Sequence, residues 1–138
     1  MAIVGFNFSK ISVEKKESVK GKISINNNIT ITNVEKKDLI LGVAKQDGIR
    51  FEFEFTSKYE PKFADIILGG EVLYLGDAEE VKKVMDEWKK SKNIPKDVKV
   101  QVINAALTKC NIEALILSKE VNLPPPIPLP SVEATKGK

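Results

Sequence analysis

The stretch "IRFEFEF" constrains the fold more than any other. Ile49, Phe51, Phe53 and Phe55 take alternate positions, with Arg50, Glu52 and Glu54 between them. Successive side chains of an extended chain point to opposite faces, so this is a strand with one dry face and one wet face. Burial on one side belongs to an antiparallel sheet, and it requires an apolar layer elsewhere in the chain to cover the phenylalanines.

The neighbouring sequence supplies the other strands, and alternation runs from Val4 to Leu75. Ile23, Ile25, Ile29 and Ile31 share one parity, with Asn27 interrupting their face. Lys22 to Val34 is therefore read as one long strand in preference to a hairpin turning at Asn26 to Asn28. Asp47-Gly48 is a two-residue turn signal and predicts a hairpin between "DLILGVAKQ" and the Phe-rich strand. "KFADIILGGEVLYLG" reads as a further strand, kinked or bulged at Gly69-Gly70.

After Gly76 the period changes. Val81, Val84, Met85 and Trp88 form the apolar stripe of an amphipathic helix over 78–91, with Asp77 and Glu80 at capping-box spacing and Pro95 beyond its end. A second helix is predicted over 97–120. Its polar positions Gln101, Asn104, Thr108 and Asn111 make one narrow stripe, and apolar residues occupy most of the circumference. Such a helix needs cover on more than one side: the sheet supplies one, and a partner subunit is the candidate for the rest. Val102, Ile103, Ala106 and Cys110 are the expected oligomer contacts. Next, "NLPPPIPLPSV" places five prolines between Pro124 and Pro130. It cannot be helix, so it is an extended segment, read as a strap over the protein's own apolar surface in preference to a ligand for a proline-recognising domain.

The fold class is therefore α+β: a four-stranded antiparallel sheet packed by a short crossover helix and one long C-terminal helix. It forms a single domain over 1–132, with strands within 4–75, a strap at 122–132 and a flexible tail at 133–138. Composition narrows the function. The 138 residues carry 22 basic and 19 acidic side chains, interspersed, for a net charge of +3, which argues against a nucleic-acid groove. There is no histidine and one cysteine, so neither a metal site nor the commonest general base is available, and no cofactor is implied. No continuous apolar run approaches the roughly 20 residues of a bilayer span and no secretory leader is evident, so membrane insertion is not expected and a cytoplasmic location is.

The order of elements resembles the SecB family of export chaperones. "GIRFEFEF" followed by "IILGGEVLYLG" is similar to the family's third and fourth strands. The segment from "DAEEVKKVMDEWKK" through "VQVINAALTKCNIEALILSKE" to "VNLPPPIPLPSV" is similar to its crossover, long helix and following loop. The resemblance implies a non-enzymatic, nucleotide-independent protein, dimeric or tetrameric, that holds unfolded polypeptides in apolar grooves. It also implies that the groove lies between the crossover, the long helix and the loop after it, which makes Tyr74, Leu75, Val81, Met85, Trp88, Leu123, Ile127 and Leu129 the candidate client-binding residues. The family continues from this loop into a second helix, for which "SVEATKGK" is too short. Glu54 falls near an acidic position of the family's exposed sheet face, whereas Glu52 falls where an apolar residue is expected, so docking on a SecA-type motor is not carried over. Export, toxin control and general holding stay open, and the rival reading is an adaptor subunit with one fixed protein partner.

Overall fold

The computed structural model describes residues 2–16, 21–41 and 44–129. Four strands, β1 (Ala2–Lys15), β2 (Ser24–Leu41), β3 (Ala44–Glu60) and β4 (Ala64–Leu75), precede two helices, α1 (Ala78–Ser91) and α2 (Lys96–Glu120). The strands form one antiparallel sheet in the order β1-β4-β3-β2, so β1 and β2 are its two edges. Both helices lie on the dry face. α2 touches all four strands, while α1 packs on β2 and β3.

The centre of the sheet follows the alternation in the sequence. Ile49, Phe51, Phe55 and Tyr59 of β3 and Ile66, Leu68, Val72 and Tyr74 of β4 are each at most 1% exposed. The edges depart from simple alternation. β1 carries bulges at Val4 and Ser9, and β2 carries one at Thr32. Each extra residue flips the parity, so Ile3, Phe6, Phe8, Ile11 and Val13 share the dry face of β1, and Ile29, Ile31 and Val34 that of β2. The irregularity expected at Gly69-Gly70 therefore lies across the ladder, in β1. Gly70 faces the close approach of β1. A Cβ there would sit 2.2 Å from the Asn7 carbonyl oxygen, and the Phe6, Phe8 and Phe53 rings gather nearby.

The Asp47-Gly48 turn is corrected. Gly48 pairs with Lys37 on one side and Leu75 on the other, within an uninterrupted β3, and β2 runs on to Leu41. Pairing on both flanks outweighs the local turn preference. The change of direction falls between Leu41 and Ala44, and Gly42 and Val43 themselves lie outside the described residues.

Both helices have the expected bounds to within a residue. Asp77 caps α1 by accepting the Glu80 N–H at 2.9 Å, and Lys92 ends it with φ 57° and its N–H on the Trp88 carbonyl. α2 buries Val98, Val102, Ala106, Cys110, Ala114 and Ser118, every fourth residue. It closes in a Schellman arrangement: Asn122 takes φ 57°, and the Leu123 N–H reaches the Ser118 carbonyl at 2.8 Å. By length and composition alone α2 is apolar enough to cross a membrane, although polar residues scattered along it hide this from a search for continuous apolar runs. Only 22% of its most apolar window is buried within the chain.

The proline segment packs on the sheet. Tyr59 donates its hydroxyl to the Pro124 carbonyl at 2.5 Å, Asn27 donates its side-chain amide to the Pro126 carbonyl at 2.8 Å, and Ser57 donates to Asn27 Oδ1 at 2.6 Å. Asn27, which interrupts an apolar face in the sequence, thus pins the strap. The end of the strap and the 133–138 tail lie outside the described residues.

Two expectations follow. Gly70→Ala should cost about 2–3 kcal/mol, or roughly 5–10 °C in Tm, because β1 must move away. Gly69→Ala, whose new Cβ would meet Lys10 Cβ at 3.5 Å, should change little. Equal thermal shifts for the two variants would contradict the close approach. Asn27→Ala strands the fully buried Ser57 hydroxyl and should cost about 2 kcal/mol in urea unfolding, against about 1 for Tyr59→Phe, whose freed carbonyl belongs to the exposed Pro124 and can turn to water. If Asn27→Ala costs no more than an ordinary surface substitution, the strap is held by something else.

Candidate functional site

Where β2 meets the junction of the helices, the packing leaves an open groove of about 210 Å³. Ile29, Thr30 and Ile31 of β2 form one wall. Trp88 and Lys92 come from the end of α1, Asn93 and Ile94 from the connection, and Lys99 and Ile103 from the first turns of α2. Local structure sets each of these. The α1 stripe sends Val81 and Val84 into the core and leaves Met85 and Trp88 half-buried at its margin. The left-handed Lys92 then turns the chain so that its ammonium stands 5.1 Å from the centre of the Trp88 ring. The result is an apolar floor with an aromatic wall and a basic rim.

The candidate residues divide between groove and core. Trp88 lines the groove, and so does Ile103, which the sequence assigns to an oligomer contact. Tyr74, Val81 and Leu123 are 1%, 2% and 7% exposed and belong to the core. Tyr74 packs edge-on against Phe51, and its phenol is pushed above its ordinary pKa by burial, with the Glu80 and Asp97 carboxylates adding to the effect. Leu75 is half-buried at the end of β4, paired with Ala2 and Gly48, and Ile127 is half-buried on the strap. Leu129 is 50% exposed. None of Tyr74, Leu75, Val81, Leu123, Ile127 and Leu129 contributes to the groove lining.

The oligomer assignment is corrected in part. Val102, Ala106 and Cys110 lie on the stripe that faces their own sheet and are at most 1% exposed, so they offer nothing to a second subunit. The outward side of α2 instead presents Val100, Ile112 and Ile116, each about half exposed. Burial pushes the Cys110 thiol up to about 12, so it stays protonated and unreactive at neutral pH.

Ile29, Ile31, Ile94, Lys92 and Lys99 are groove residues that the sequence does not reveal. The isoleucines announce a buried strand face, but nothing local says that β2 is an edge beside the helix junction. The sheet's polar face holds a second cleft of about 390 Å³ around Arg50. That guanidinium contacts Glu35 at 2.5 Å, Glu52 at 3.1 Å and Glu71 at 3.4 Å, and Asn7 reaches Glu71 at 3.4 Å. These residues come from all four strands, so the arrangement ties the sheet together laterally. Among the described residues no group of three or more acidic or cysteine side chains is placed to hold a metal ion.

No protein-family model and no curated protein matches this sequence. Among solved structures, the fold is similar to the Mycobacterium tuberculosis Rv1957 SecB-like chaperone, solved in complex with a ChAD peptide from the Rv1956 HigA1 antitoxin. The superposition has a TM-score of 0.55 and covers 94% of this chain and 89% of that one, at 11% identity. At that identity the likeness is one of fold, and it extends over nearly the whole of both chains.

Proposed function

We propose that this protein is a SecB-like holding chaperone that binds non-native polypeptide segments in its apolar groove, without nucleotide and without catalysis. The observation that carries the reading is the groove itself: Trp88, Ile29, Ile31 and Ile103 stand half-buried and open to solvent. They do so on a fold shared with a SecB-like chaperone whose structure holds a peptide. Exposed apolar side chains between rigid elements are what a passive binder needs, since burying a client's side chains yields about 25 cal/mol per Å² with no covalent step. A tryptophan wall tolerates many partner shapes, which suits low selectivity.

The outward side of α2 supports assembly. Val100, Ile112 and Ile116 lie on a helix that is mostly uncovered within the chain, and a second copy of the protein would cover them. Several grooves on one dimer or tetramer would then act on one client chain, and many weak contacts would sum. A role in export or in toxin control would depend on what receives the client.

Trp88 is the chain's only tryptophan and lies in the groove, so its emission reports occupancy directly. Titration with a permanently unfolded polypeptide that lacks tryptophan should shift the emission and release measurable heat, while the folded form of the same polypeptide does neither. Ile103→Asp should weaken binding about tenfold, the effect of losing one central apolar contact. Binding of neither form would point to the adaptor reading, and one stoichiometric partner would then be sought.

A further inference from the structure

Building on the holding reading, we infer that the groove receives its client as an extended strand added to the outer edge of β2. We further infer that it selects segments in which a large apolar residue is flanked by acidic ones. Backbone, side chains and charge each contribute an independent observation.

The backbone is the first. β2 is an edge strand, so alternate N–H and C=O groups along Ile29 to Ile31 point away from β3. Among the described residues, no backbone hydrogen bond from outside the sheet reaches β2. An unpaired edge is a template for another strand, and here it forms one wall of the groove, which puts main-chain pairing and side-chain burial in one place. The side chains are the second. An added strand sends every other residue toward the helices, where Trp88 and Ile103 wait opposite Ile29 and Ile31, so one large apolar residue becomes the anchor.

Charge decides the flanks. Lys92 and Lys99 both line the groove, and no carboxylate does. Neither lysine takes part in an ion pair among the described residues. Lys92 holds its charge beside the aromatic ring, so a client anchored on Trp88 brings its neighbouring residues under that charge. Basic flanks are repelled there and acidic flanks attracted. With a net charge of only +3, the whole molecule exerts no strong preference of this kind, which assigns the selectivity to the groove rim.

The test uses the full-length protein and short synthetic peptides without tryptophan that share one apolar centre, flanked by glutamates or by lysines. Trp88 emission and calorimetry read the affinity. The acidic peptide should bind about fivefold more tightly at low salt, as two exposed charge contacts would give. The preference should fade at high salt. The double variant Lys92→Glu with Lys99→Glu should invert it, and Lys109→Glu, outside the groove, should leave it in place. Two further acidic peptides carry N-methyl groups on alternate amides, at odd or at even positions. One of the pair should lose binding and the other keep it, because only one edge of an added strand pairs with β2. Equal affinity for acidic and basic peptides overturns the charge selection, and indifference to both methylation patterns overturns the added strand. Either result leaves holding intact if a permanently unfolded polypeptide still binds. Failure of that polypeptide as well as the peptides overturns the holding reading itself.

Discussion

Everything here depends on a four-stranded sheet whose dry face is covered mainly by one helix. α2 manages this with small and medium side chains at every fourth position from Val98 to Ser118, which allow its backbone to lie close to the phenylalanines and tyrosines beneath. Because an α-helix repeats every 3.6 residues, a four-residue step drifts by about 40°, so the contact stripe turns roughly 200° around the helix along its length. A twisted sheet presents such a changing direction to a rod laid across all its strands. The side opposite the stripe drifts in step and carries Val100, Asn104, Thr108, Ile112 and Ile116. The apolar character of α2 on most sides is thus the sum of two ridges, one satisfied within the chain and one left outward.

Polar groups placed among apolar ones specify where the chain goes after α2. The Schellman turn at Asn122 directs it back toward the sheet and buries Leu123. Tyr59 and Asn27 then donate hydrogen bonds to the Pro124 and Pro126 carbonyls, which neighbouring prolines leave without nearby N–H donors, and Ser57 donates to Asn27 Oδ1 and so holds that side chain in place. Burial pushes the Tyr59 phenol up to about 12, so it remains a donor throughout the physiological range. The stability tied to the neutral phenol is complete below pH ~10 and declines as pH rises through that shifted value. Proline reduces the entropy lost when such a strap packs, which lets a few polar pins hold it.

The legible parts of the fold were those in which one local rule acts alone. α1 shows its cap and its stripe, whereas the groove assignment of Trp88 came from the family resemblance and not from the stripe. The central strands show their faces through alternation. The β1 and β2 bulges were hidden because an extra residue reads as disorder in the pattern, and Asp47-Gly48 misled because pairing from both flanks overrode a two-residue preference. Asn27 looked like a defect in an apolar face until its partner, 99 positions away, was in place. Long-range pairing decides such cases, and no local window contains it. The division of α2 failed for a related reason: a helix apolar on most sides does not say which side meets its own sheet, so Val102, Ala106 and Cys110 were assigned outward and proved inward.

The same long-range order explains why the groove lies at β2. Of the two edges, β1 lies beyond the reach of α1, which packs on β2 and β3. At β2 the short connection between α1 and α2 brings Trp88, Ile94 and Ile103 over an edge whose own isoleucines face the helices. A continuous helix there would close over the strand. The left-handed turn at Lys92, followed by Pro95 at the start of α2, interrupts the cover, and Lys92, Asn93 and Ile94 line the groove at the break. The break that ends α1 therefore opens the site, and it also sets a lysine beside the tryptophan. Local helix chemistry and the electrostatic character of the groove come from the same few residues.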